Sequence, residues 1–289
     1  MRLFLPTALA MTAFAANSVL NRMAVGQGLI DPLSFAVVRL LAGAGVLAVV
    51  LGVRVAVRRG VVWPGGGALL AGVGGLLVYL VGFSVAYQGL GAGTGALILF
   101  GMVQITMFAG AITAREPVPP ARWLGAGLAF AGLLVLLAPG AGAAVDRTSA
   151  IAMALSGIGW GLYSLAGRRQ SDALAATAAN FVLAVPVLML GLLLLPVSPE
   201  AMPPTLRGLA LAVLSGAVTS GLGYALWYTL LPQLGAARAA VAQLTVPLIA
   251  AAGGFALLGE DPSWRFGAAA VLVLGGVALA SRQSGLTRR

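Results

Sequence analysis

The chain has no cysteine, no histidine and no lysine, and its 289 residues include only seven acids. The missing cysteine excludes disulfides and thiolate chemistry, and the missing histidine removes imidazole bases and metal ligands. Charged residues of either sign make up 8% of the chain, against 60% hydrophobic residues. No globule in water could present that balance as a surface, so the expected solvent is lipid. Catalysis needs converging acids, bases or ligands, and the apolar stretches offer none in pairs. An enzyme is therefore not expected, and neither a cofactor nor a metal is called for.

Present instead are apolar runs of about 20 residues, repeated along the whole chain, each long enough as a helix to cross a hydrocarbon core of about 30 Å. Backbone groups in lipid must be satisfied within the segment, so the runs should be helices. The 41 glycines would weaken a soluble helical protein, but beside abundant alanine they let membrane helices approach closely. The expected fold is all-α and polytopic, with ten spans at 3–24, 32–52, 66–89, 94–114, 121–138, 149–167, 172–195, 206–231, 237–258 and 264–281. Arg54, Arg58 and Arg59 are read as a loop after span 2. Arg2 and Ala13-Phe14-Ala15 resemble a signal peptide with its cleavage site, but the apolar run is long for a signal and is read as span 1.

The net charge of +10 belongs to arginines dispersed at the ends of apolar runs, which speaks for orientation in a membrane rather than nucleic-acid binding. With the first residue in the cytoplasm, the inner segments hold twelve arginines: Arg2, Arg54, Arg58, Arg59, Arg115, Arg122, Arg168, Arg169, Arg238, Arg282, Arg288 and Arg289. The outer segments hold Arg22, Arg147, Arg207 and Arg265, which is four, and Arg39 lies within a span. Both termini are expected to be cytoplasmic.

The stretch 90–132 returns in degraded form at 234–275. Leu90-Gly91-Ala92 and Leu234-Gly235-Ala236 each precede an acid, Glu116 and Glu260, by 26 positions (116 − 90 and 260 − 234), and a proline and an arginine follow each acid. Phe14, Asn17 and Arg22 likewise match the spacing of Trp160, Tyr163 and Arg168. The expected organisation is a first repeat over 1–140, a link over 141–147 and a second repeat over 148–289. Five spans per repeat is an odd number, so the two repeats should lie inverted in the membrane, as in many secondary transporters.

With these features the chain resembles the drug/metabolite transporter superfamily, in particular its ten-helix EamA-type members, over essentially its whole length. The residues that carry the likeness are Asn17-Ser18, Arg22, Arg39, the 90–116 and 234–260 blocks, Gly159-Trp160-Gly161-Leu162-Tyr163 and Pro247. Within the superfamily it is most similar to exporters of amino acids, including the YddG-type aromatic amino acid exporters. The resemblance implies a bacterial inner-membrane protein whose central cavity, lined by spans 1, 3, 4, 6, 8 and 9, opens to either side in turn. Val103 stands where the second repeat has Pro247, so equal kinks in spans 4 and 9 are not expected.

Candidate solute-binding residues are Asn17, Tyr79, Phe83, Met102, Trp160, Tyr163, Tyr224, Tyr228 and Gln243. Tyr79, Phe83 and Tyr87 recur every four residues, hence on one helical face, and Tyr224 and Tyr228 repeat that spacing. Facing aromatic stripes would suit an aromatic or amphipathic solute. The competing reading, rings anchored at the lipid interface, fits Tyr87 better than Tyr79, and ordinary helix packing is the alternative for Trp160. The amides Asn17, Gln104, Asn180 and Gln243 need partners in lipid, and Asn17 and Gln243 are the better placed to bind an amino or carboxyl group. Arg39 is expected to be structural, because span 2 is peripheral in the family. Pro247 interrupts the backbone ladder and is the candidate hinge.

The expected partners are a small-molecule solute and membrane lipid, with no nucleic acid. Oligomeric state is left open and a monomer is compatible with everything above. The leading function is export of aromatic or other hydrophobic amino acids by alternating access. The alternatives are export of drugs or other metabolites without amino acid preference, and a scaffold that transports nothing. No acid lies deep in a span, so coupling through a buried carboxylate is not expected.

Overall fold

A computed structural model describes residues 3–58, 60–115, 118–138, 145–168, 170–194, 203–261 and 263–282. Among the described residues every regular element is a helix. They are α1 (Phe4–Val25), α2 (Pro32–Arg58), α3 (Gly66–Ala86), α4 (Ala92–Thr113), α5 (Pro120–Leu137), α6 (Arg147–Gly167), α7 (Ala173–Leu194), α8 (Leu206–Leu214), a π-helical segment (Ser215–Leu222), α9 (Gly223–Gln243), α10 (Thr245–Leu258) and α11 (Trp264–Arg282). The run from α8 to α9 is unbroken, so the described residues form ten membrane helices, as the hydropathy pattern requires. Seven are long and apolar enough to span by length and composition alone.

Helix starts follow local chemistry. Asp31 Oδ1 accepts the backbone N–H groups of Leu33 and Ser34, Asp146 accepts Ser149 N–H at 2.7 Å, and Thr205 accepts Gly208 N–H at 3.0 Å. Pro120 opens α5, where its missing N–H costs nothing. Large apolar side chains face outward along the bundle, Leu193, Leu206, Trp264 and Val271 among them. In water they would be an aggregation surface; in a bilayer they are the contact with lipid.

The interior is closed by glycine. A Cβ on Gly159 would stand 2.7 Å from the backbone of Gly75 and Tyr79, so α3 and α6 touch nearly backbone to backbone. The α5–α11 pair closes in the same way at Gly276 against Gly125.

Three boundaries differ from the sequence reading. Arg54 and Arg58 are on α2, not in a loop, because Arg54 pairs with Asp172 at the head of α7 and so keeps the helix going. The loop expected over 232–236 is helical; the alanine-rich stretch after it favours helix strongly enough to outweigh Gly235. The ladder breaks instead at Leu244, since Pro247 has no N–H for the Gln243 carbonyl, and Thr245 Oγ1 donates to the neighbouring Ala242 carbonyl at 2.7 Å. At 14 residues α10 is short of a full crossing, so the last turns of α9 must complete it. Most of the expected link over 141–147 lies outside the described residues, and α6 already begins at Arg147.

Candidate functional site

The chain brings five of its candidate residues to one cavity. Asn17 on α1, Tyr79 and Phe83 on α3, Trp160 on α6 and Tyr224 on α9 line it with Phe14, Ser18, Leu99 and Phe100. Glycine sets this up, since the close approach of α3 and α6 brings Tyr79 against Trp160, the rings tilted by 49° with centres 4.8 Å apart. Trp160 then meets Tyr224 at 5.3 Å, and Tyr224 meets Phe14 edge-on at 5.5 Å. Such pairings hold each ring in place beyond the effect of its burial. The space left among the rings is a cavity of about 20 Å³, roughly one water. No amino acid fits there until the rings part.

The remaining candidates lie around that cavity. Tyr163 is stacked on Trp160 at 5.2 Å and donates to Thr177 at 3.1 Å, with the half-buried Tyr228 in the same cluster. Met102 packs beside Gly157. Gln243 faces Gln104 in a second cavity of about 50 Å³ lined also by Val103, Leu244, Val273, Leu274 and Val277. Phe100 lines both cavities.

The polar wall centres on Asn17. Its Oδ1 lies within hydrogen-bond reach of three hydroxyls of the π segment: Ser215 at 2.8 Å, Thr219 at 2.5 Å and Ser220 at 3.4 Å. A π segment inserted in a helix is often found at functional sites, and here it turns Ser215, Thr219 and Ser220 toward α1. The sequence reading missed these hydroxyls. Three of them within six residues of an apolar span were the available signal.

Arg39, read as structural on a peripheral helix, reaches inward. It is fully buried, its Nε donates to Ser220 at 3.1 Å and one Nη donates to Tyr79 Oη at 2.8 Å. Its guanidinium lies 4.9 Å from the centre of the Phe83 ring and 5.3 Å from that of Tyr79. Tyr87 corrects the sequence reading: it is wholly buried, packed on Phe83 and donating to the Ala92 carbonyl, and does not anchor at a lipid interface.

At one face of the bundle four helix ends are tied together. Arg22, at the end of α1, pairs with Glu260 at 3.0 Å and donates to the Tyr87 and Gln88 carbonyls after α3. Glu260, just past α10, also accepts the Ala92 N–H that opens α4 at 2.7 Å. At the other face Arg54 holds Asp172, and its hydrogen bonds keep that carboxyl below the usual range although partial burial works to raise it. Glu116, the counterpart of Glu260, lies outside the described residues.

A polytopic helical bundle with a small aromatic-lined cavity among its helices defines a membrane protein. Residues 147–282 match the model of the EamA-like transporter family. An uncharacterized protein of Pseudomonas aeruginosa is 46% identical over 282 residues, which cover 96% of this chain and 94% of the relative. A solved crystal structure covering 94% of this chain and 96% of its own superposes with a TM-score of 0.62 at 22% identity, a likeness of fold. The chain belongs to the EamA-like transporter family, within the drug/metabolite transporter superfamily, and is a multi-pass membrane transporter of that type.

Proposed function

We propose that the protein exports small amphipathic metabolites across a bacterial inner membrane, aromatic and other hydrophobic amino acids first among them. The observation that carries this reading is the cavity wall: Phe14, Tyr79, Phe83, Trp160 and Tyr224 surround one polar amide, Asn17, and come from both halves of the chain. Rings with polar tips suit a solute that is flat and apolar at one end and polar at the other.

The helix pairings favour two inverted repeats, 1–140 and 148–289. Where α3 packs on α6, its counterparts, the α8 to α9 run and α1, pack on each other; α4 on α10, α5 on α11 and α2 on α7 each pair with their own counterpart. The solute then passes at the seam, in the order expected of such repeats. With both termini in the cytoplasm, the Arg22–Glu260–Ala92 tie closes the outer face, and opening requires it to break. Phe100 lines both the aromatic cavity and the Gln104 and Gln243 cavity, and its rotation is the movement that would join them into one path. Pro247 is the hinge of this movement, because the helix beside Gln243 is already unlatched at Leu244. No described carboxylate lies within the bundle, which favours a facilitator running down the solute gradient.

Purified protein in liposomes preloaded with phenylalanine should accumulate labelled phenylalanine by counterflow, and Trp160→Ala should abolish it while the protein stays folded. Flat uptake of every amino acid, alongside movement of unrelated amphipaths, would transfer the assignment to drug or general metabolite export. Flat uptake of everything would leave the scaffold reading.

A further inference from the structure

We propose that the solute is read as an anion, with Arg39 supplying the charge behind the cavity wall. This rests on the aromatic-solute reading above and adds the chemistry of the polar end.

Arg39 has no carboxylate partner among the described residues. The described acids sit at helix ends: Asp31 caps α2, Asp146 caps α6, Asp172 holds Arg54, Glu260 holds Arg22, and the exposed Asp261 follows it. Arg39 Nη1 is buried with no hydrogen-bond partner among the described residues. A buried cation without a counter-ion is costly, and the neighbouring rings and hydroxyls compensate it only in part. Whatever enters the adjoining cavity with a negative charge completes the arrangement.

The hydrogen bonds carry that charge to the wall along two routes. Arg39 Nε–H is donated to Ser220 Oγ, so the Ser220 proton must go onward, and the acceptor within reach is Asn17 Oδ1. Ser215 and Thr219 approach the same oxygen. With Oδ1 taken, the NH2 is what the Asn17 side chain has left to offer the cavity it lines. By the second route Arg39 donates to Tyr79 Oη, and Tyr224 O–H approaches that oxygen at 3.4 Å. Tyr79 keeps its own O–H to donate, and donation from a cation makes that O–H a stronger donor. Both routes therefore end in hydrogen-bond donors at the wall, beside the aromatic rings. An ammonium group would meet donors there and a cation behind them. A carboxylate on an aromatic body finds two donors and a positive field.

The test uses three ring-matched probes in liposome counterflow at pH 7: 3-phenylpropionate (net −1), phenylalanine (zwitterion) and phenethylamine (net +1). The wild-type protein should move the two carboxylates at least ten-fold faster than the amine. Arg39→Gln should remove that preference, lowering 3-phenylpropionate at least ten-fold without slowing phenethylamine. If Arg39→Gln does not fold, Tyr79→Phe removes the terminal donor together with the oxygen that accepts from Arg39 and Tyr224, and should slow 3-phenylpropionate several-fold. Phenethylamine moving as fast as the carboxylates on the wild-type protein would overturn the proposal while leaving the aromatic reading in place. So would variants that keep the wild-type preference. If none of the three moves, the aromatic reading fails and this proposal falls with it.

Discussion

Replacing Gly159 by alanine should push α3 away from α6 and loosen the cavity from outside it. The new Cβ would stand 2.7 Å from Gly75 O and Tyr79 N, and both are backbone atoms that cannot swing aside. Reaching ordinary contact needs the helices to part by roughly 0.7 Å or more, and a gap of that order forfeits about a quarter to a half of each contact's dispersion energy. Overpacking of this kind typically costs about 1–3 kcal/mol. Alanine's better helix propensity returns about 0.8–1 kcal/mol, which leaves a net loss of about 0–2 kcal/mol, toward the upper end because both atoms struck are backbone. For a chain of this size the midpoint should fall by roughly 2–4 °C per kcal/mol. Thermal unfolding of the detergent-purified protein reads this directly. The matched control is Gly127→Ala on α5, where an added Cβ meets nothing within 4 Å; there the same substitution should be neutral or stabilising by about 0.5–1 kcal/mol. Because Trp160 follows Gly159 and Tyr79 is what the new methyl strikes, counterflow should drop as well. An unchanged midpoint for Gly159→Ala, or equal shifts for the two variants, would refute the claim that backbone contact at this glycine sets the spacing.

The acid limb of stability should carry the mark of Asp172. Its carboxyl is held low by Arg54, so its contribution is complete above the ordinary carboxylate value and is lost as pH falls through the lowered one. Unfolding midpoints from pH 7 to 3 should fall less steeply in Arg54→Gln; an identical acid limb would count against the pair. Pro247→Ala should restore the ladder at Leu244, hold or raise the unfolding midpoint and slow transport; faster transport would contradict the hinge assignment. Since the chain has no cysteine, Ser18→Cys gives a single label in the cavity wall. An impermeant maleimide added outside should modify it faster in Glu260→Gln than with Glu260 intact, and equal rates would remove the Arg22–Glu260 tie from the gating scheme.

Composition and hydropathy alone settled that the chain is an all-helical, ten-span membrane protein, because lipid leaves the backbone no other way to satisfy itself. Spacing along one helix was equally legible: Tyr79 and Phe83 share a face, and so do Tyr224 and Tyr228. Which helices bring those faces together was not, since it depends on where glycines allow backbones to meet across distances of 80 or more positions in sequence, as Gly75 does with Gly159. The partners of Arg39 were out of reach for the same reason. In the sequence it is a lone cation on an outer span. Only the packed bundle puts its guanidinium against Tyr79, Phe83 and the hydroxyl of Ser220, because partners in a low-dielectric interior are chosen by three-dimensional proximity, which hydropathy does not encode. The π segment was hidden too, since its register answers to the amide of Asn17 and the backbone of α2 rather than to any local propensity.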